Sequence, residues 1–256
     1  MRSRLPAAGD GGGSIAGQLR TYRSWVKNDD LVPFYAVVNE TDLYIRAQSY
    51  LKEQAMSAVK KCRADIESYI AKHHEFLMTL VPIDVEPDAA PIVVAMADAA
   101  RKAGVGPMAA VAGAVAEYVG RALMQQSPEV IVENGGDIFI STAKPRTIGV
   151  FAGDSPFSGK LAVEIGAGTI GACTSSGTVG HSLNFGNADA VLILSPSTAL
   201  ADAAATAVSN AVKTAADIPS AIELAQTIDG VTGVLIVIGD KLGVWGEVKL
   251  SSEGVA

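Results

Sequence analysis

The sequence VIVENGGDIFIS, residues 130–141, places two short apolar segments on either side of a turn, and this arrangement decides the fold class. The turn, Asn134-Gly135-Gly136-Asp137, contains an Asn-Gly pair, which tolerates the positive φ that a tight hairpin needs. We therefore predict antiparallel strands at Val130 to Glu133 and Ile138 to Ser141. A second interpretation stays open, in which this turn is a backbone-lined binding site edged by carboxylates.

Strand-like segments continue on both sides of this hairpin. Asp42 to Ala47 alternates polar and apolar residues, which is the period of a half-buried strand. Further strands are predicted at Phe34 to Val38, Thr147 to Phe151, Leu161 to Ile165, Ala190 to Leu194, Val234 to Ile238 and Gly243 to Leu250. Helical periodicity predicts helices at Leu51 to Phe76, Pro91 to Lys102, Met108 to Met124 and Ala199 to Lys213. Runs of strands with helices inserted between them favour an α+β fold with a mainly antiparallel sheet and packed helices.

The domain organisation follows from composition along the chain. Residues 1–18 contain Gly11-Gly12-Gly13-Ser14 where a signal peptide would have an apolar segment, so we predict a flexible N-terminal tail there. No linker-like shift in composition divides residues 19–256, and we predict one domain over that range.

The overall composition excludes several classes of protein. Of the 256 residues, 49% are apolar and 18% charged, which supports a sizeable core and excludes a disordered chain. The formal charge of −7 argues against a nucleic-acid surface, whose affinity comes largely from Lys and Arg on phosphates. No stretch reaches the roughly 18 apolar residues of a membrane span. The two distant cysteines, Cys62 and Cys173, favour reduced thiols, and we predict a cytoplasmic protein.

A glycine-rich stretch, Gly166-Ala167-Gly168-Thr169-Ile170-Gly171, matches the spacing of a dinucleotide fingerprint. That fingerprint must open a helix. The following residues, up to Gly180, hold four hydroxyl side chains and two glycines, which do not propagate one. We therefore predict a glycine-rich turn between strands.

The run from Cys173 to His181 is a candidate ligand-binding segment. Its glycines allow close backbone approach, and Thr174, Ser175 and Ser176 offer donors without bulk, as a phosphate or a polar ring edge requires. His181 is one of three histidines in the chain. A general base, a ligand contact and a structural role all remain open for it.

Ala201-Asp202-Ala203-Ala204-Ala205-Thr206-Ala207 lies near the start of a predicted helix. Asp202 and Thr206 are four residues apart, so their oxygens lie on one helical face. Such a pair suits a hard cation such as Mg²⁺, which prefers oxygen ligands. The alternative is that Asp202 only stabilises the helix dipole.

Taken together, these motifs resemble the ApbE-like superfamily, whose best-known members are the FAD:protein FMN transferases. The similarity spans about residues 100–215. Its most specific part is Ala201 to Ala207, since the family carries an A-D-x-x-A-T-A helix. The other matching motifs, in chain order, are Gly104 to Gly113, Asn134 to Asp137, Thr174 to Gly177 and His181. The resemblance implies an ApbE-like, T-fold-related α+β fold and a divergent, less-characterised branch of the superfamily.

The resemblance also implies roles for individual residues. Asp202 and Thr206 would be Mg²⁺ ligands, helped by a backbone carbonyl near Ala110 to Ala112. His181 would be the catalytic residue near the reacting phosphate. The residues bordering the cofactor FAD would be Asn134, Gly135, Gly136, Asp137, Thr174, Ser175, Ser176 and Gly177. In the transferases, Mg²⁺ helps to neutralise charge while a Thr hydroxyl of an acceptor protein attacks the FAD pyrophosphate.

Two departures from the family pattern leave three hypotheses open. Ala112 stands at the family's Lys position, and Ser182 to Asp189 replaces the D-P-x-T-G loop. The chain is either a flavin-nucleotide-dependent, transferase-like enzyme, a non-catalytic module for a nucleotide or another planar heterocycle, or an enzyme acting on a different planar substrate through His181. The apolar segment Met108 to Met124 would suit a homodimer, and a buried helix explains it equally well.

Overall fold

The computed structural model describes residues 30–178 and 183–251. Its central element is an eight-stranded antiparallel sheet. The strands, in chain order, are β1 (Val32–Val38), β2 (Thr41–Ala47), β3 (Val130–Asn134), β4 (Asp137–Thr142), β5 (Arg146–Gly149), β6 (Ala162–Ile165), β7 (Gly168–Ser175), β8 (Ala190–Ser195), β9 (Gly233–Ile238), β10 (Lys241–Gly246) and β11 (Lys249–Ser251). The large sheet has the order β1-β2-β3-β4-β7-β8-β9-β10, and a smaller sheet has the order β11-β6-β5. The predicted tail at residues 1–18 and the predicted catalytic residue His181 lie outside the described residues.

The helices all pack against one face of the large sheet and form one hydrophobic core with it. They are α1 (Lys52–Ile70), α2 (Glu75–Met78), α3 (Pro91–Ala103), α4 (Val111–Leu123), α5 (Thr198–Ala211) and α6 (Ile218–Thr227). The predicted helix at residues 51–76 instead ends at Ile70, and α2 follows as a separate turn. Eight residues of α4 are buried, so burial accounts for the apolar segment from Met108 to Met124. Among the described residues, no helix is long and apolar enough to cross a membrane.

The other face of the large sheet carries a second core beneath the smaller sheet. Alternate residues of β8 enter opposite cores, with Val191 and Ile193 facing the helices and Leu192 and Leu194 facing the smaller sheet. All six residues of β8 are buried. This two-sided burial explains why β8 has a continuous apolar sequence rather than an alternating one. The α+β prediction with a mainly antiparallel sheet is confirmed.

The predicted glycine-rich turn at residues 166–171 is found only at Gly166 and Ala167, between β6 and β7, because Gly168 to Ser175 form β7 near the middle of the sheet. The glycines are required for packing. A Cβ on Gly171 would lie 2.5 Å from the Cα of Thr198, so the first residue of α5 rests directly on the strand. The antiparallel pairing of β7 with both neighbours also excludes the dinucleotide fingerprint, which needs a strand that leads into a helix.

The predicted strand from Gly243 to Leu250 is divided in the structure. Gly246 has a φ of +78°, which favours glycine, and the chain bends there. β10 stays in the large sheet, whereas β11 pairs with β6 in the smaller one. The last described strand therefore forms one edge of the smaller sheet, and Val248 just before it packs against the second core.

A cluster of charges holds the loops at one end of the two sheets. The Arg146 guanidinium is 4% exposed and binds both carboxylate oxygens of Asp30, at 2.6 and 2.9 Å. It also contacts Glu129 Oε2 at 2.6 Å. These bonds to Arg146 hold the pKa values of Asp30 and Glu129 below their usual range.

Replacing Arg146 should change how stability depends on pH. Because both carboxyl groups have lowered pKa values in the folded protein, their contribution is present above the unfolded pKa of about 4 and is lost as pH falls through the folded values. Between about pH 6 and pH 3, the urea midpoint of the wild type should therefore fall more steeply than that of Arg146→Met. Lys249→Met, which removes an exposed contact with Glu164, is the control and should follow the wild type. Parallel curves for wild type and Arg146→Met would contradict the prediction.

Candidate functional site

Helices α4 and α5 each contribute a carboxylate that accepts backbone N–H groups at the N-terminal end of the other helix. Asp202 of α5 accepts the backbone N–H of Gly113 at 2.8 Å, and a second bond comes from the N–H of Ala112. In return, Glu117 of α4 accepts the N–H of Thr198 at 2.7 Å. The first amides of a helix have no partner within the helix and carry partial positive charge. Each helix therefore satisfies the other's N-terminus, and these amides are not free for a ligand.

These mutual hydrogen bonds require α4 and α5 to approach each other very closely. A Cβ on Gly113 would lie 2.4 Å from the carbonyl oxygen of Thr198 and 2.7 Å from the Cβ of Asp202. Only glycine fits this position. The fit brings the carboxylate of Asp202 against the amides at the start of α4.

Asp202 also lies beside another carboxyl group, that of the buried Asp137 at the start of β4. Burial raises the pKa of Asp202 to about 7. Burial and the charge of Asp202 together raise the pKa of Asp137 well above its usual value, although the neighbouring Cys173 thiol lowers it in part. The thiol itself donates to the carbonyl of Thr198 at 3.4 Å. Burial and the same two carboxylates raise the pKa of Cys173. Neither carboxylate has a basic partner within residues 30–178 and 183–251.

The turn between β3 and β4 borders this acidic pair. Gly135 and Gly136 have φ values of +67° and +110°, as the hairpin prediction requires. The Asn134 side chain donates to the carbonyl of Ala112 at 3.0 Å, which ties the turn to the start of α4. On the other side, Thr174 donates its N–H to the carbonyl of Gly136. These contacts therefore bring together Asn134, Gly136, Asp137, Thr174 and Asp202.

The remaining predicted cofactor residues contact a different part of the chain. Ser175 Oγ accepts a hydrogen bond from Asn184 at 2.9 Å, and the Gly177 N–H donates to the carbonyl of Ala188 at 2.9 Å. Ser176 Oγ lies 3.4 Å from the same carbonyl. These residues connect the end of β7 with the loop at residues 183–189.

The predicted metal ligands lie on one row of α5. Thr198, Asp202 and Thr206 are spaced by four residues, and Asp202 and Thr206 are half-buried. The buried Thr198 Oγ1 has no hydrogen-bond partner in the described part of the chain. Within that part, no three His, Cys, Asp or Glu side chains form a group able to hold a metal ion. A cation here would take its remaining ligands from hydroxyls, carbonyls, water or substrate.

Glu117 and the Cys173 thiol are two features of the site that were not predicted from the sequence. Glu117 is 8% exposed in an otherwise apolar helix, and a buried acid of this kind usually has specific partners. That isolated charge was the available signal. Cys173 stands directly opposite Asp137 in the β4–β7 register. The pairing of these two strands was not evident, since β7 was not predicted.

Comparison with known sequences gives a clear family match. A family model described as AbpE bacteria matches residues 23–234. The UPF0280 protein of Methanocaldococcus jannaschii is 41% identical over 221 residues, which cover 83% of this chain and 89% of that protein. The UPF0280 protein of Methanothrix thermoacetophila is 43% identical over 207 residues, covering 79% and 86% respectively.

Solved structures with the same fold carry the description of flavin transferases. The apo crystal structure of the Pseudomonas stutzeri flavinyl transferase ApbE has a TM-score of 0.55 and 12% identity, covering 86% of this chain and 94% of that one. A histidine-to-glycine mutant of the Vibrio cholerae flavin transferase ApbE has a TM-score of 0.57 and 11% identity, covering 84% and 97%. At this level of identity, the comparison establishes the shared fold.

Gly113→Ala should destabilise the protein even though alanine is the better helix former. An added Cβ would favour α4 by about 1 kcal/mol if space allowed, whereas its clash with α5 should cost about 1–3 kcal/mol or more. We expect a lower urea midpoint. The control is Gly166→Ala, where an added Cβ meets nothing within 4 Å and the midpoint should hardly change. A more stable Gly113→Ala variant would show that the helices are not in such close contact.

Proposed function

This chain belongs to the AbpE bacteria family, within the ApbE-like superfamily, and from that premise we propose that it binds a flavin nucleotide together with Mg²⁺ and acts as an FMN-transferase-like enzyme. The observation that carries the proposal is the pair formed by the buried Asp137 and the half-buried Asp202, which has no basic partner in the described residues. Two adjacent carboxylates with little access to water are costly without a neutralising charge. A bound cation would supply that charge.

The donor atoms around this pair suit Mg²⁺. The ion is commonly held through one or two carboxylates, with substrate phosphates and water completing its coordination. Asp202 uses its carboxylate to accept two backbone N–H bonds, and a carboxylate has about four lone-pair sites, so acceptor capacity remains. The hydroxyl of Thr206, one turn along α5, would be a second ligand. The hydroxyl of Thr198, which has no hydrogen-bond partner among the described residues, lies one turn earlier and adds an oxygen to the same row.

The bound metal would stabilise negative charge on a phosphate as a Lewis acid. The protein's own residues would then position the nucleotide. Asn134 to Asp137 and Thr174 to Gly177 would border it, with backbone groups and small hydroxyl side chains. The N-terminal amides of α4 and α5 already bind Asp202 and Glu117, so the phosphate would depend on the cation and on the hydroxyl-rich segment for its contacts.

A second candidate function is binding without turnover. It is favoured by Ala112, which stands where the family's lysine would offer a positive charge to a phosphate. The carbonyl of Ala112 accepts the Asn134 amide instead. The proposal also includes three predictions from the sequence. These are an acceptor protein, a catalytic role for His181 on flavin or another planar substrate, and a cytoplasmic location.

Asp202→Asn should abolish Mg²⁺-dependent binding while preserving the fold. Asparagine keeps an oxygen for the Gly113 N–H but removes the charge that would hold the metal. Thermal unfolding with FAD, FMN, ATP, NAD and GTP, each with Mg²⁺ or with EDTA, measures this directly. A ligand at about 100 times its Kd adds about 2.7 kcal/mol, which should raise the wild-type Tm by about 5–10 °C. FAD with Mg²⁺ should give that rise for wild type but not for Asp202→Asn.

The control variant is Asp98→Asn, which removes a carboxylate from the exposed surface of α3 and should respond like the wild type. An equal FAD response in Asp202→Asn, or none from any flavin in the wild type, would refute the proposal. Chromatography of FAD after long incubation separates the two candidate functions. Mg²⁺-dependent release of FMN and AMP supports the enzyme, and saturable binding with intact FAD supports the binding module.

A further inference from the structure

We propose that Phe185 is the stacking surface for the planar ring of the nucleotide, an inference that rests on the proposed function of the same site. Phe185 lies in the loop that replaces the family's D-P-x-T-G sequence. The backbone of this loop is held in place, the Phe185 ring is exposed, and the loop is connected to the predicted cofactor segment.

The backbone of Phe185 is fixed to the C-terminal half of α5. Its N–H donates to Asn210 Oδ1 at 2.8 Å, and its carbonyl accepts a bond from the Lys213 ammonium. The next residue, Gly186, lies directly on the helix, because an added Cβ would approach the carbonyl oxygen of Ser209 to 1.8 Å. The loop therefore has one defined position against α5.

The side chain of Phe185 is exposed although its backbone is held. It is 53% exposed, and Leu183 two residues earlier is 61% exposed. Holding a backbone rigid while leaving a large ring in water brings no burial energy. The same arrangement prepares an aromatic surface for a ring that stacks on it, because little conformational freedom remains to be lost on binding.

The loop is joined to the predicted cofactor segment at two points. The Asn184 amide donates both to Ser175 Oγ at 2.9 Å and to Ser209 Oγ at 2.8 Å, bridging β7 and α5. Gly177 packs against the loop backbone, where an added Cβ would lie 2.0 Å from the carbonyl oxygen of Gly186. A ligand along Thr174 to Gly177 would therefore lie beside the loop.

A row on α5 joins this loop to the acidic pair. Asp202, Thr206 and Asn210 are half-buried and spaced by four residues, so they follow one side of the helix. The separation of eight residues between Asp202 and Asn210 corresponds to about 12 Å along the axis. Asp202 would hold the metal and phosphate end, and Asn210 holds Phe185 at the other. The arrangement suits a planar heterocycle linked to a phosphate, rather than a free phosphate.

Removing the ring should weaken binding of FAD without affecting the fold. A stacked base typically contributes the equivalent of a 5- to 150-fold change in affinity, so Phe185→Ala should raise the Kd for FAD by roughly that factor. Phe185→Tyr keeps the ring and should bind like the wild type. Titration calorimetry with FAD and Mg²⁺ gives the affinities, and the Tm without ligand should be the same for all three proteins.

A control variant and three possible results distinguish a failure of this inference from a failure of the proposed function. Met78→Ala removes an exposed apolar side chain elsewhere and should leave the Kd unchanged. If the wild type binds FAD and Phe185→Ala binds it equally, the inference is wrong and the proposed function stands. If Phe185→Tyr weakens binding as much as Phe185→Ala, the ring does not act by stacking. A wild type that binds no flavin would overturn both.

Discussion

The close packing of α4 against α5 is the constraint on which the rest of the site depends. Asp202 binds amides at the start of α4, and Glu117 binds an amide at the start of α5. The contact is mutual, so displacing either helix leaves unpaired charges or amides on both. It also anchors neighbouring elements, because Asn134 binds the carbonyl of Ala112 and Thr198 packs on Gly171. The β3–β4 turn and β7 thereby keep their places relative to α5.

This packing explains why two carboxyl groups of the site, those of Asp202 and Asp137, lie close together with little access to water. Asp202 is turned toward the α4 amides, and the close approach brings it beside Asp137 at the start of β4. Backbone N–H groups provide partial compensation, with two bonds to Asp202 and the nearby N–H of Thr174 lowering the pKa of Asp137 in part. The raised pKa values show that this compensation is incomplete. The site thus differs from the Arg146 cluster, where a guanidinium lowers the pKa values of the carboxyl groups around it.

Much of the fold could be predicted from the sequence where local pattern and tertiary role agree. The β3–β4 hairpin was evident because Asn134-Gly135 allows positive φ between two apolar runs. β7 was missed because its glycines have no strand preference of their own, and Gly171 is explained only by the approach of Thr198. The same limit applies to the site. Asp202 and Asp137 were identified from motifs, whereas the roles of Glu117 and the Phe185 loop depend on contacts between distant parts of the chain.

The division of the C-terminal hairpin has a consequence for the order of folding. β11 leaves its neighbour β10 and pairs with β6, with Lys249 opposite Glu164. The smaller sheet therefore needs a strand that leaves the ribosome long after β5 and β6. Until then, the second core, which includes Leu192 of β8 and Leu235 of β9, lacks Val248, which packs against it just before β11. Incompletely covered apolar residues promote aggregation in partly folded chains. During synthesis, the second core is therefore a natural point for chaperone contact.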